Sequence, residues 1–225
     1  MSEPDVEGRA RSLAAEAIGA GDPTAWFERL YVGAEAGEEV VPWDRGEPHP
    51  LLVEWATERA IAGAGRSALV VGCGLGADAE YVAKLGFATT AFDISPTAVR
   101  MARQRHPDTS VRYVAADLLN LPAEWRHAFD LVVESLTLQA MPDPPRRTAI
   151  RNIGEPVAPG GTLVVNARAR EADAPDTDGP PWALTRTEIE TISASGVQPV
   201  RIEHLGLRGV PRWRAEFSRS GWPAA

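Results

Sequence analysis

Three glycines and a row of acids carry the chemistry open to this chain. Gly72, Gly74 and Gly76 come directly after the apolar run Ala68, Leu69, Val70 and Val71, and a helix is expected to start near Ala77. Glycine permits positive φ and lets a ligand approach the main chain. Free N–H groups at a helix N-terminus face whatever lies on such a turn. Residues 89–92 read as the next strand, with Asp93 at its C-terminal end and Ile94 after it. A carboxylate there can accept hydrogen bonds from both hydroxyls of a ribose. Asp117 follows a strand over 111–114, where an acid can accept from an adenine amino group while Leu118 packs on the ring. Glu134 and Ser135 follow a fourth strand, at the mouth of the same cleft. The chemistry is nucleotide binding.

These residues need a sheet to hold them. An apolar run of four residues suits a buried parallel strand. Residues 24–31, 51–62, 96–106, 146–153 and 185–194 read as helices, and 1–20 as a frayed Ala- and Glu-rich one. Asp22-Pro23 has the form of an N-cap with proline at the first helical position, and Ser95 or Asp93 can cap the helix that Pro96 opens. Thr185 with Glu188 forms a capping box. Pro159-Gly160-Gly161 reads as a turn before a fifth strand over 162–166, and 197–203 with 213–218 as a hairpin-like pair closing one edge. Strands alternate with helices five times before that pair. The expected fold is α/β: a Rossmann-like, mostly parallel sheet with helices on both faces.

Bulk properties narrow the partners. The chain has 225 residues, 44% of them hydrophobic, which suits one domain with a sizeable core. Its net charge of −8 argues against nucleic acid. Lys84 is the one lysine among 23 basic residues, a coding bias more than a binding signal. Cys73 is the single cysteine, so no internal disulfide forms, as fits a reducing compartment. No apolar run reaches the roughly 18 residues of a membrane span, and the N-terminus has no basic-then-apolar leader pattern. A soluble cytoplasmic protein is expected, with no membrane partner and no metal. The oligomeric state is open.

The glycines alone do not choose the nucleotide. Gly72, Gly74 and Ala77 satisfy the G-x-G-x-x-A form of the dinucleotide fingerprint. A phosphate loop fails, because no Lys-Ser or Lys-Thr follows. The ordered acids Asp93, Asp117 and Glu134, the Pro-Gly-Gly turn and the closing strand pair together resemble a class I S-adenosylmethionine-dependent methyltransferase. The resemblance runs from about Trp26 to Arg219. It implies seven strands with the last antiparallel, S-adenosyl-L-methionine as cofactor, and a cofactor loop at Val71, Gly72, Cys73, Gly74, Leu75 and Gly76. It assigns Asp93 to the ribose and Asp117-Leu118 to the adenine. Residues 1–50 would be an N-terminal helical lid of the same domain, and 51–225 the methyltransferase domain proper.

Upstream, Pro42-Trp43-Asp44-Arg45-Gly46-Glu47-Pro48-His49-Pro50 resembles the N-terminal signature of the thiopurine, thiol and halide methyltransferases, and Gly179-Pro180-Pro181-Trp182 continues the match. That resemblance places Trp26 and Trp43 over the methionine end of the cofactor and beside the acceptor. It puts Arg146 or Arg147 near the substrate. Gln139, Met141, Pro181 and Trp182 would line the same opening. The implied reaction is methyl transfer to a small-molecule acceptor, a thiol or another soft nucleophile, by in-line displacement. The rival reading is an O- or N-methyltransferase; a nicotinamide-dependent oxidoreductase and a non-catalytic cofactor-binding module stand further off.

Few bases are on offer. His49 and Asp44 of the signature loop are the only candidates, and Asp44 could equally anchor its loop. His106 and His127 read as exposed, and His204 lies on a late strand. Of the tryptophans, Trp55 and Trp213 read as core by periodicity. Trp43 and Trp182 sit in proline-rich loops above the sheet's C-terminal edge, where a ring face could meet a sulfonium, at about 0.5–2 kcal/mol. Cys73 reads as a small packed residue.

Overall fold

The computed structural model describes residues 6–174 and 179–221. Trp222, the first five residues and 175–178 of the proline-rich loop lie outside the described residues. Seven strands form one sheet: β1 (Ser67–Val71), β2 (Ala88–Asp93), β3 (Arg112–Ala115), β4 (Phe129–Ser135), β5 (Val157–Arg168), β6 (Gln198–Leu207) and β7 (Val210–Ser218). Their spatial order is β3-β2-β1-β4-β5-β7-β6. Strands β1 to β5 run parallel, and β7 is antiparallel to both of its neighbours. The expected sheet is therefore the observed one.

Period-two alternation sorts the strands between two cores. Leu69, Val71, Phe92, Val132 and Val165 face one cluster, with the helices α1 (Val6–Gly19), α2 (Ala25–Glu35), α6 (Pro145–Asn152) and α7 (Arg186–Thr191) on that side. Ala68, Val70, Ala91, Leu131 and Val164 face the other, covered by α3 (Pro50–Glu58), α4 (Ala77–Lys84) and α5 (Pro96–Arg105). No helix among the described residues is long and apolar enough to cross a membrane.

Several boundaries differ from expectation. Helix α2 starts at Ala25, so Asp22-Pro23 precedes it by a turn, and its N-cap Thr24 makes no capping bond. Helix α3 stops at Glu58, ahead of the left-handed Ala60. The Pro159-Gly160-Gly161 turn is an irregularity inside β5, where the pairing register with β4 shifts between Phe129 and Leu131. Ser95, not Asp93, caps α5, accepting from the Ala98 N–H at 2.9 Å. The Thr185–Glu188 capping box forms as expected.

Candidate active site

Three cavities meet over the C-terminal edge of β1, β2 and β4, and Trp43 and Leu136 line all three. The first lies between the strand ends and α2. Asp93, Ile94, Asp117, Leu118, Ser135 and Met141 line its floor and sides, and Thr24, Phe27 and Tyr31 its roof. The second follows the glycine turn past Gly72, Cys73 and Gly74 to Asp78, Arg45 and His49. The third opens toward α1, between Glu7, Gln139, Arg168, Pro180, Pro181 and Arg212.

Local chemistry fixes the turn. The main chain takes φ of +59° at Gly72 and +94° at Gly76. A Cβ at Gly72 would lie 2.0 Å from the Thr137 Oγ1, so only glycine fits that crossing of β1 over the loop after β4. Asp93 is 5% exposed and braces the turn: its Oδ2 accepts from the Gly74 N–H and its Oδ1 from the Ser95 N–H, each at 2.9 Å. Burial pushes its carboxyl up to about 6, against the pull of those N–H donors. Asp117 commits one oxygen to the Leu119 N–H at 2.8 Å.

Trp43 is held at the junction. Its Nε1 donates to the Tyr31 hydroxyl at 2.9 Å, and its ring meets Trp26 edge-on, with centroids 5.8 Å apart. Burial raises the Tyr31 phenol well above its usual range, so it stays protonated. The roof is tied down by Glu28 of α2, which accepts from the Thr97 hydroxyl at 2.7 Å and from the Ser95 hydroxyl on α5.

Several expected site residues stand elsewhere. Trp26 is fully buried and lines none of the three cavities; α1 and α2 enclose it, and it acts as the support behind Trp43. Glu134 is also fully buried and lines none of the three cavities; its Oε1 accepts from the Thr137 and Leu138 N–H groups, its Oε2 has no partner among the described residues, and burial pushes its carboxyl up to about 8. Gly76 caps α4, where a Cβ would strike the Tyr113 hydroxyl. Arg146 is buried against α7, its Nη2 3.0 Å from Glu188 Oε1, and Arg147 pairs with Asp143; neither lines any of these three cavities. Trp182 packs on Gly179 behind Pro181 rather than facing the cavities, and its N–H donates to the Gln139 carbonyl at 2.7 Å. Gln139 lines the third cavity while its Oε1 accepts from the Arg168 N–H.

Neither base candidate is suited to the task. Asp44 forms a two-pronged pair with Arg105, both contacts 2.9 Å, which holds its carboxyl below the usual range. His49 lines the glycine-turn cavity, with burial and then Arg45 pushing it down to about 4. Burial raises the Cys73 thiol well above its usual value, in line with a packed residue. His106 and His127 are half-buried rather than exposed; the ring of His106 contacts the Leu75 carbonyl.

The reading of residue types missed Thr24, Phe27 and Tyr31, although Phe27 and Tyr31 are one helical turn apart and share a face. It missed Leu136, whose φ of +70° no sequence signal announces. It also missed Arg45 and Arg212. If Arg146 is structural, Arg146→Met costs about 1–3 kcal/mol of stability and leaves the acceptor KM within about twofold of wild type. Thermal melts and steady-state kinetics on the same preparation check both.

Known proteins agree with this architecture. Residues 68–161 match the family model of a methyltransferase domain. Over 160 residues the chain is 30% identical to a 2-heptyl-1-hydroxyquinolin-4(1H)-one methyltransferase of Mycobacteroides abscessus, covering 68% of each chain. It is 33% identical over 137 residues to a ubiquinone biosynthesis O-methyltransferase of Xanthomonas campestris, covering 57% of this chain and 56% of that one. Among solved structures, the N-methyltransferase NodS of Bradyrhizobium japonicum, in complex with S-adenosyl-L-homocysteine, superposes with a TM-score of 0.64 at 25% identity, covering 85% of this chain and 98% of its own. A structure from work on converting a disulfide into a thioacetal in echinomycin biosynthesis reaches a TM-score of 0.70 over 86% of this chain and 93% of its own, at 24% identity, a likeness of fold. The nicotinamide reading falls with these matches, and the chain belongs to the class I S-adenosylmethionine-dependent methyltransferases.

Proposed function

We propose that the enzyme methylates a small acceptor with a soft nucleophile, a thiol foremost, as in the thiopurine, thiol and halide methyltransferases. The residues suit the cofactor. Asp93 has lone pairs left for ribose hydroxyls, and Asp117 has an oxygen free for the adenine amino group. Ile94 and Leu118 supply apolar walls. Arg45 and His49 lie along the glycine turn, and the His49 ring nitrogens have no partner among the described residues, a donor set that suits the carboxylate at the other end of the molecule. Residues 1–50 serve as a lid of the same domain.

S-adenosylmethionine supplies an already activated methyl group on a sulfonium. The protein's part is to hold, align and dehydrate. Trp43 presents its ring where the three cavities meet, and Leu136 closes the opposite side. Alignment of nucleophile and methyl is worth several kcal/mol, up to about 7–11 in ideal cases. A thiolate enters from the third cavity with no proton to lose.

The observation that carries this reading is the lack of a base at the junction. Among the described residues, Asp44 is spent on Arg105 and Glu7 of the third cavity on Arg168, His49 lies in the glycine-turn cavity, and Tyr31 stays protonated. General-base help contributes about 10²–10⁴-fold, so an acceptor that needs it should be slow. With labelled cofactor, kcat/KM for thiophenol is expected to exceed that for phenol and aniline by about 100-fold or more. Equal or reversed rates overturn the soft-nucleophile assignment. The named reactions of the relatives, O-methylation for the Xanthomonas enzyme and N-methylation for NodS, favour the second reading, an O- or N-methyltransferase.

A further inference from the structure

The third cavity holds a buried guanidinium that finds no hydrogen-bond or ion-pair partner among the described residues. Arg212 stands on β7, opposite Arg168 of β5, and is 5% exposed. Its Nε and Nη1 find no hydrogen-bond partner among the described residues. Arg214, two residues along the same strand, shows how this fold treats a buried arginine: Glu203 lies 2.8 Å away, Glu58 3.0 Å and Glu54 3.5 Å. Among the described residues nothing comparable serves Arg212. Glu7, the one acid lining its cavity among the described residues, is 3.0 Å from Arg168 and reaches Arg212 only through its charge. Burial, then Arg168 and Arg45, push the Arg212 guanidinium down to about 10. A buried charge without a partner is costly, and a cavity beside it offers the remedy.

Resting on the assignment of this cavity to the acceptor, we infer that Arg212 receives a carboxylate carried by the acceptor itself. A guanidinium pairs with a carboxylate through short, charge-assisted hydrogen bonds. Glu7, Arg45, Gln139 and Arg168 make the end of the cavity around Arg212 polar, while Ala10, Leu136, Pro180 and Pro181 supply apolar wall for a flat hydrocarbon body. The acceptor is then an acid whose nucleophile lies at the far end from its carboxylate, at Trp43. Thus an acceptor chain or ring that anchors its acid on β7 presents its nucleophile to the junction.

The test is binding of 4-mercaptobenzoate and its neutral amide to the enzyme saturated with S-adenosylhomocysteine, by calorimetry. The acid is expected to bind at least about tenfold tighter than the amide. Arg212→Met abolishes that preference while the affinity for S-adenosylhomocysteine is unchanged. Glu7→Gln, at an exposed position of α1, releases Arg168 and tightens the acid several-fold without moving the amide. Equal binding of acid and amide by the wild type overturns the inference, as does an acid preference that survives Arg212→Met. Should that variant not fold, acid binding unmoved by Glu7→Gln overturns it instead. The same pair built on 4-hydroxybenzoate separates this from the soft-nucleophile assignment: an acid preference there upholds the carboxylate site even where thiol turnover fails.

Discussion

Asp93→Ala is expected to raise the dissociation constant for S-adenosylhomocysteine by about 100-fold or more. Two hydrogen bonds to a charged acceptor are worth about 1.5–3 kcal/mol each, and each 1.4 kcal/mol is tenfold. Alanine also strips the Gly74 and Ser95 N–H groups of their acceptor, so the turn loosens. Asp93→Asn separates the effects: it keeps the shape and one acceptor but sets its amide NH2 against the Gly74 or Ser95 N–H, so the melting temperature should fall less than in Asp93→Ala while affinity falls about tenfold. Calorimetric titration of both variants checks this, and wild-type affinity in Asp93→Ala would remove Asp93 from the cofactor site. Acid adds a second signature. The carboxyl titrates near 6 in the fold, above its unfolded value of about 3.9. Its contribution to the stability of the free enzyme is thus fully present below about pH 4 and is lost as pH rises through 6. Cofactor binding needs the ionised form and weakens as pH falls through 6, so the two slopes oppose each other.

Gly72→Ala is expected to damage both the fold and the site. The new Cβ would sit 2.0 Å from Thr137 Oγ1, at a φ of +59°. The left-handed backbone alone costs a non-glycine residue about 1–2 kcal/mol. Relieving the clash pushes the loop that carries Leu136 into the junction. A stability loss of about 2–4 kcal/mol is expected, with methyl transfer lost even in the fraction that folds. Gly72→Ala combined with Thr137→Gly removes the clash and keeps the φ cost, so it should regain most of the melting temperature. A double variant no better than the single one would show that the crowding is not at Thr137.

What was readable in the residues is what is decided locally. The strand-turn-helix at Ser67–Val71 and Ala77–Lys84 follows from an apolar run and three glycines, and Asp93, Ile94, Asp117 and Leu118 follow from their place at strand ends. Where the reading strayed, distant chain decided. Trp26 looked available for a ligand because nothing near it in sequence shows that α1 packs over it. Arg146 looked like a substrate contact because Glu188, its partner, comes some forty residues later. Glu134 stands at the right strand end, yet the N–H groups of the following loop claim it. Arg212 alternates with Trp213 as any strand residue might, and only the spatial order of the strands brings it to a cavity lined also by α1.

That order has a consequence for biosynthesis. Strand β7 is made last, yet it lies inside the sheet, between β5 and β6. A nascent chain that has reached Leu207 already owns every side chain that lines the first cavity, but β5 has a bare margin of unpaired amide and carbonyl groups and β6 has nowhere to dock. Such a margin invites intermolecular pairing. Copies that stop before β7 therefore face clumping before they face loss of activity, and the arrival of β7 is the event that seals the sheet.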